Sequence, residues 1–243
     1  MENLSTDEIA KLIQSGTELP LATKNYPSRG QTAVQKLYET KKGKLFLKRA
    51  SEQNHIDCQV DPKTGTLAER EFWAFCLAKK LHLRVPPLWL MDSYTTVQMW
   101  LDIPDAHIYK MTRGRMDFEG ENVLDCALFD WLTGQIDRHD ANYLYDYIQR
   151  QIVLVDSAHC FLKYEGSLPD YLHLFEIGST ANLMTTYKTR MKSILDALSV
   201  EDMQKLVPLK SEAEESALRA RLEDVRTVTT IRDIIELYRG SRI

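Results

Sequence analysis

One stretch, Leu128 to Phe161, LFDWLTGQIDRHDANYLYDYIQRQIVLVDSAHCF, constrains this chain more than any other. An amphipathic run (Leu128, Phe129, Leu132) leads into a charged loop holding Asp137, Arg138, His139, Asp140 and Asn142. Two short apolar segments, YLYDYI and QIVLV, then flank a turn, and the second ends on Asp156. Such a pattern predicts a helix, a polar loop and a tight hairpin. It brings two carboxylates and an amide to one end of the hairpin.

The spacing points to chemistry. In the catalytic loop of protein kinases an Asp is followed, after four intervening residues, by an Asn, and a later Asp holds magnesium on the nucleotide phosphates. Asp137, Asn142 and Asp156 stand in that order and spacing. Magnesium suits such a set because it takes hard oxygen ligands and only one or two carboxylates, keeping its other positions for water and phosphate. The order Asp-Arg-His before the Asn, with an apolar-apolar-Asp segment after the hairpin, resembles the phosphatidylinositol 3- and 4-kinase branch of the kinase fold and its small bacterial relatives. Protein kinases usually read His-Arg-Asp there. Secretory-pathway protein kinases and HipA-type kinases carry loops of similar style, so the resemblance speaks to fold and cofactor more than to substrate. It implies an α+β, bilobal, protein-kinase-like fold, with a small antiparallel-sheet N-lobe over residues 1–104 and a mainly helical C-lobe over 105–243, using ATP and Mg2+.

Upstream, AVQKLYE and KLFLKRA read as two strands around a Lys-Lys-Gly turn. The polar turn from Ser28 to Thr32 could present backbone amides to phosphates around Gly30, without the multi-glycine fingerprint. Lys48, two residues after Phe46 on the second strand, stands where a kinase-like fold puts the lysine for the nucleotide phosphates. An exposed strand lysine is the plain alternative. The next segment has Leu67, Phe72, Phe75, Leu77, Ala78 and Leu81 at helical spacing, with Thr66 as N-cap and Pro86 and Pro87 as the stop. Glu71 lies on this helix, and the run Leu-Ala-x-Arg-Glu followed by Val-Pro-Pro again resembles the small bacterial kinase-like proteins. The resemblance pairs Glu71, in preference to Glu69, with Lys48. LWLMDSYTTVQMWL then reads as two strands turning at Asp92 and Ser93, and the resemblance makes Gln98, Met99, Trp100 and Leu101 the hinge that meets adenine. An ordinary sheet edge with Met99 and Trp100 in the core uses the same residues.

Composition excludes several functions. A net charge of −4 over 243 residues argues against a nucleic-acid binder, which needs a basic surface. No apolar run reaches a transmembrane length of about 18 residues, and the first twenty residues are acidic and polar, unlike a secretory signal. Cys58, Cys76, Cys126 and Cys160 lack metal-type spacing and read as reduced thiols of a cytoplasmic protein. A zinc site on His159 and Cys160 would need two adjacent side chains to reach one ion. A bacterial effector of this kind would work in a host cytosol after secretion. Residues 1–20 predict a short helix, with Thr6 as N-cap, that packs on the body or engages a regulatory partner. Residues 106–121 are polar and weakly patterned, and helices are expected over 181–198, 200–208 and 212–239, the last interrupted by the β-branched run Thr227 to Thr230.

The functional expectation is a Mg-ATP-dependent phosphotransferase, an atypical Ser/Thr protein kinase with a protein acceptor. Asp137 orients or deprotonates the acceptor hydroxyl, Asn142 and Asp156 hold magnesium, Lys48 and Glu71 place the phosphates, and His139 supports the loop or stabilises charge. Arg138 and Asp140 are expected to form ion pairs within the loop. Phosphoinositide kinases carry a basic segment after the metal-binding Asp, whereas here Lys163 is the one cation between Phe161 and Leu172. Asp156 is also followed by Ser157 and Ala158, not by Phe-Gly. The alternatives are a phosphoinositide or other small-molecule kinase, a pseudokinase binding module, and a protein nucleotidyltransferase.

Overall fold

The computed structural model describes residues 3–21, 34–117, 120–163 and 183–240. Strand alternation builds its first part. β1 (Thr17–Leu19), β2 (Val34–Thr40), β3 (Gly43–Arg49), β4 (Leu88–Asp92) and β5 (Thr95–Met99) form one antiparallel sheet in the order β1-β2-β3-β5-β4. The β2–β3 turn places Gly43 at φ 114°, a conformation open to glycine and costly for other residues.

Because side chains alternate along a strand, each β3 and β5 residue has a determined face. Leu45, Leu47, Val97 and Met99 turn to one side, where Leu45 and Val97 join Trp89 and the buried Ile9 and Leu12 of α1 (Thr6–Ser15) in a small core. Phe46, Lys48, Thr96 and Gln98 turn to the other, with Phe46 opposite Gln98 and Lys48 opposite Thr96. Helix α1 starts one residue earlier than the sequence suggests. Ser5 is the N-cap, in a reciprocal capping box with Glu8, so Thr6 is the first helical residue. Trp89 fixes the entry by donating from Nε1 to the Leu4 carbonyl at 2.9 Å.

After β3 comes α2 (Glu52–Asp57), a short helix with no apolar period, which its Ser51–Asn54 capping box starts. Helix α3 (Leu67–Lys80) is capped by Thr66 as expected. Its Trp73, Ala74, Leu77 and Ala78 leave the sheet and enter the larger core with α5 (Gly120–Thr133). That core continues through the hairpin β6 (Tyr143–Asp146) and β7 (Gln151–Leu154) and the helices α6 (Arg190–Ala197), α7 (Val200–Leu206), α8 (Glu212–Thr227) and α9 (Ile231–Gly240). The two parts join through backbone bonds, Leu154 N–H to the Arg84 carbonyl and Tyr145 N–H to the Pro104 carbonyl, each 2.9 Å.

Two segments differ from the sequence pattern, and a third breaks where the pattern expects it. Residues 106–113, weakly patterned, form α4 (Ala106–Arg113), started by the Asp105 carboxylate on the Ile108 N–H at 2.7 Å. The helix expected from 181 begins at Arg190, where Thr189 caps it; before that, Thr186 bridges to Thr230 in an extended conformation. The 212–239 helix breaks in two at the β-branched run, because Asp233 accepts from the Thr229 and Thr230 amides, 2.8 Å each, and so caps a new helix. Among the described residues no helix is long and apolar enough to cross a membrane.

Candidate active site

The face of the sheet turned away from α1 carries the first cluster. Lys48 and Thr96 are cross-strand partners, and both reach Glu71: Lys48 Nζ pairs with one carboxylate oxygen, and Thr96 Oγ1 donates to the other at 2.9 Å. The same ammonium lies 3.3 Å from Asp156 Oδ1. One buried cation therefore connects sheet, α3 and the segment after β7. Burial opposes the charge on Lys48, but the Asp156 and Glu71 carboxylates outweigh it and hold the amine above the ordinary lysine range. Glu69 has another job. It is the N3 residue of the α3 capping box, accepting from the Thr66 N–H at 2.9 Å. The adjacent Arg70 is fully buried and fixes α3, donating to the Cys160 carbonyl at 3.2 Å and to Glu214 of α8 at 2.8 and 3.0 Å.

In the loop 137–142, Arg138 and Asn142 are buried and the other residues are half-buried. Arg138, 1% exposed, points into the protein. It contacts both oxygens of Asp130 on α5 (Nε to Oδ2 3.0 Å, Nη2 to Oδ1 3.1 Å), the Asn142 and Val155 carbonyls at 2.6 Å each, and Ser157 Oγ at 2.9 Å. Arg138 thus pairs with α5 and not within the loop, fastening α5, the loop and the Asp156 segment to one guanidinium. Asp140 also reaches outside, to Lys110 of α4 at 2.7 Å and the Tyr143 hydroxyl at 2.8 Å.

Asp137 and His139 face outward, with side chains 44% and 43% exposed. Asn142 Nδ2 donates to the Asp137 carbonyl (2.7 Å) and to Asp137 Oδ2 (3.1 Å), which directs its oxygen away from Asp137. His139 Nδ1 accepts from the Ala141 N–H at 3.2 Å, so its ring proton sits on Nε2, 3.8 Å from Asp137 Oδ1. His139 therefore supports the loop while facing Asp137.

Asp156 is 43% exposed on its side chain and adopts φ 53°. Burial pushes its carboxyl up, but Lys48, His159 and Arg138 outweigh that and hold it below the usual carboxylate range. Asn142 and Asp156 thus offer an amide oxygen and an ionised carboxylate, a hard-oxygen set suited to Mg2+ with phosphate completing its shell. Asp156 Oδ1 meets Lys48, and its other oxygen is available for that role. Among the described residues no group of three or more His, Cys, Asp or Glu forms a metal cluster, and His159 and Cys160 turn apart, Cys160 into the core.

Two residues along the same face from Lys48 and Thr96, Phe46 and Gln98 line a cavity of about 300 Å³ with Trp100, Leu144 and Val155. Met99 points the other way, toward α1, and its amide is bonded to the Pro87 carbonyl at 2.8 Å. Gly30 lies outside the described residues. Gln135 has no spacing that singles it out, and His159, which the sequence offers only as a zinc ligand beside Cys160, instead faces Asp137. His159 Nδ1 is 3.4 Å from Asp137 Oδ2, and Gln135 spans the site from the Asp137 N–H (3.1 Å) to the Asp156 carbonyl (3.3 Å).

No protein-family model matches the chain, and no curated protein does. Solved structures similar to it include the proinflammatory kinase CtkA of Helicobacter pylori, 12% identical over 92% of this chain and 97% of that one, with TM-score 0.49. A point mutant of the PknI kinase domain of Mycobacterium tuberculosis is 14% identical over 93% and 95%, TM-score 0.39. CtTel1 in its open conformation is 10% identical over 85% of this chain and 11% of that one, TM-score 0.41. The sheet order, the Lys48–Glu71 pair and the loop-hairpin-Asp unit stand independently of these matches. The chain has an α+β fold, with a small antiparallel sheet and a mainly helical remainder.

Proposed function

We propose that the chain is a Mg-ATP-dependent phosphotransferase, an atypical Ser/Thr protein kinase, related to the small bacterial members of the phosphatidylinositol-kinase branch. The observation that carries this reading is the Lys48 ammonium held between Glu71 and Asp156. In this role Lys48 binds phosphate oxygens, and Glu71, itself tied to Thr96, keeps the amine aimed at them. Asn142 and Asp156 hold magnesium, which neutralises charge on the phosphates when bound. The cavity beside Phe46, Gln98 and Trp100 takes the base. Asp137, half-exposed at the open side of the loop, orients the acceptor hydroxyl and accepts its proton. N- and C-lobes divide near residue 104 in this reading. A protein acceptor is favoured because the segment between Phe161 and Leu172 carries a single cation, Lys163, for a phosphorylated headgroup.

The test is incubation with ATP labelled separately at the γ and α phosphates, with mixed proteins and with phosphoinositide vesicles. The expected result is γ-label on protein Ser or Thr, dependent on Mg2+. α-Label on protein would make the chain a nucleotidyltransferase, γ-label confined to vesicles a lipid kinase, and nucleotide binding without transfer a binding module.

A further inference from the structure

A second arrangement crosses the mouth of the loop. Cys58, the C-cap residue of α2, places Sγ 3.2 Å from His159 Nε2, while the other ring nitrogen of His159 lies 3.4 Å from Asp137 Oδ2. Thiol, imidazole and carboxylate stand in a row, each at contact distance from the next. Packing fixes the row: Cys58 lies against a small apolar cluster of Ala50, Val60 and Leu67, as do Ala158 and Leu162 on either side of His159. Both Cys58 and His159 are partly exposed.

We propose that Cys58, paired with His159 and oriented through it by Asp137, is a nucleophilic modification site for soft carbon electrophiles such as haloacetamides and α,β-unsaturated carbonyl compounds. This goes beyond the phosphotransfer reading and does not depend on it. Thiolate is the reacting form of cysteine, and a neighbouring imidazolium stabilises it. A carboxylate on the far nitrogen fixes the ring and favours its charged form, as in other nucleophile-base-acid arrangements. Burial opposes charge on His159, but bonds to Asp137 and Cys58 outweigh it and raise the ring to about 10. With iodoacetamide, the thiol proton leaves to water and the charged His159 ring stabilises the thiolate left behind. The sulfur lone pair then forms the C–S bond as the C–I bond breaks, and iodide leaves with its electron pair. The other three thiols lack this arrangement. Burial pushes Cys76, Cys126 and Cys160 up, the last to about 12.

The test treats the folded full chain with iodoacetamide at pH 7 and follows each cysteine peptide by mass spectrometry. Cys58 is expected to react on the order of tenfold faster than Cys76, the other partly exposed thiol, because a neighbouring imidazole assists formation of the reacting thiolate. His159→Gln should remove most of that advantage while far-ultraviolet circular dichroism stays unchanged, and Asp137→Asn should reduce it by less. A wild-type Cys58 rate within about twofold of Cys76 overturns the proposal, as does a Cys58 rate unaltered in folded His159→Gln. An unaltered rate in Asp137→Asn removes Asp137 from it. If His159→Gln does not fold, the wild-type contrast between Cys58 and Cys76 decides alone.

Discussion

Arg138 and Asp137 are consecutive residues of one loop with opposite surroundings. Arg138 is sealed in, and its guanidinium meets a carboxylate, two carbonyls and a hydroxyl. Asp137 is nearly half exposed, with an amide and two imidazoles around it. Fixed geometry is made where charge is buried and fully bonded, and in the proposed function the acceptor is met where charge is left open. The loop does both because consecutive residues point in opposite directions.

The strongest way to break the comparison is Arg138→Leu. It leaves Asp130 buried without its counter-charge, which costs on the order of 3–5 kcal/mol, so urea unfolding should show a stability loss of that size together with loss of phosphotransfer. Adding Asp130→Leu should recover part of the stability and none of the transfer. Equal behaviour of the single and double variants would show that the pair is not the hub described above.

Asp137→Ala should produce the reverse pattern. γ-Phosphate transfer is expected to fall about 10²-fold or more, the usual contribution of a positioned acid-base group, while melting temperature and nucleotide affinity stay near wild type. Melting and affinity falling together would assign Asp137 to the structure of the loop.

The third prediction concerns pH. The His159 ring is raised from 6.5 to about 10 in the folded protein, burial opposing and Asp137 and Cys58 prevailing. Its stabilisation is therefore complete below about pH 6.5 and is lost as pH rises toward 10. Between those limits the slope is at most about 1.4 kcal/mol per pH unit. Chemical unfolding at pH 6.5, 7.5 and 8.5 should show that decline in wild type and a flatter one in His159→Gln; equal slopes would remove His159 as the source. The smallest effect belongs to an open ion pair. Arg150 and Asp117 meet at 2.8 Å with both side chains more than half exposed, so Asp117→Asn should change stability by less than about 1 kcal/mol, a control for the Arg138 result.

What the sequence made legible was local. The strand pair around Lys41 and Lys42, the helix from Leu67 and the hairpin from Tyr143 follow from period and turn residues, and with them the α+β class. The pattern Thr66-Leu-Ala-Glu69 is itself a capping box, which already assigns Glu69 to helix initiation. Asp130, inside the apolar run Cys126 to Leu132 of α5, signals a buried partner without saying which, because Arg138 reaches it only after the loop folds back. The contacts of Arg70 with Glu214 and of His159 with Asp137 and Cys58 join residues from different parts of the chain, and no local period encodes them. The break before α9 was visible as β-branched residues, but the cap at Asp233 decides where it falls.

The left-handed backbone of Asp156 governs how its charge can be probed. Among ordinary side chains, Asp and Asn enter that region most readily, while others carry a steric cost of roughly 1–2 kcal/mol. Asp156→Ala therefore alters two properties, the negative charge and the fit of the residue to its backbone. Asp156→Asn removes the charge and keeps the conformation. The difference in melting between the two variants reports the fit, and, if the proposed function holds, a loss of magnesium-dependent nucleotide binding common to both reports the charge.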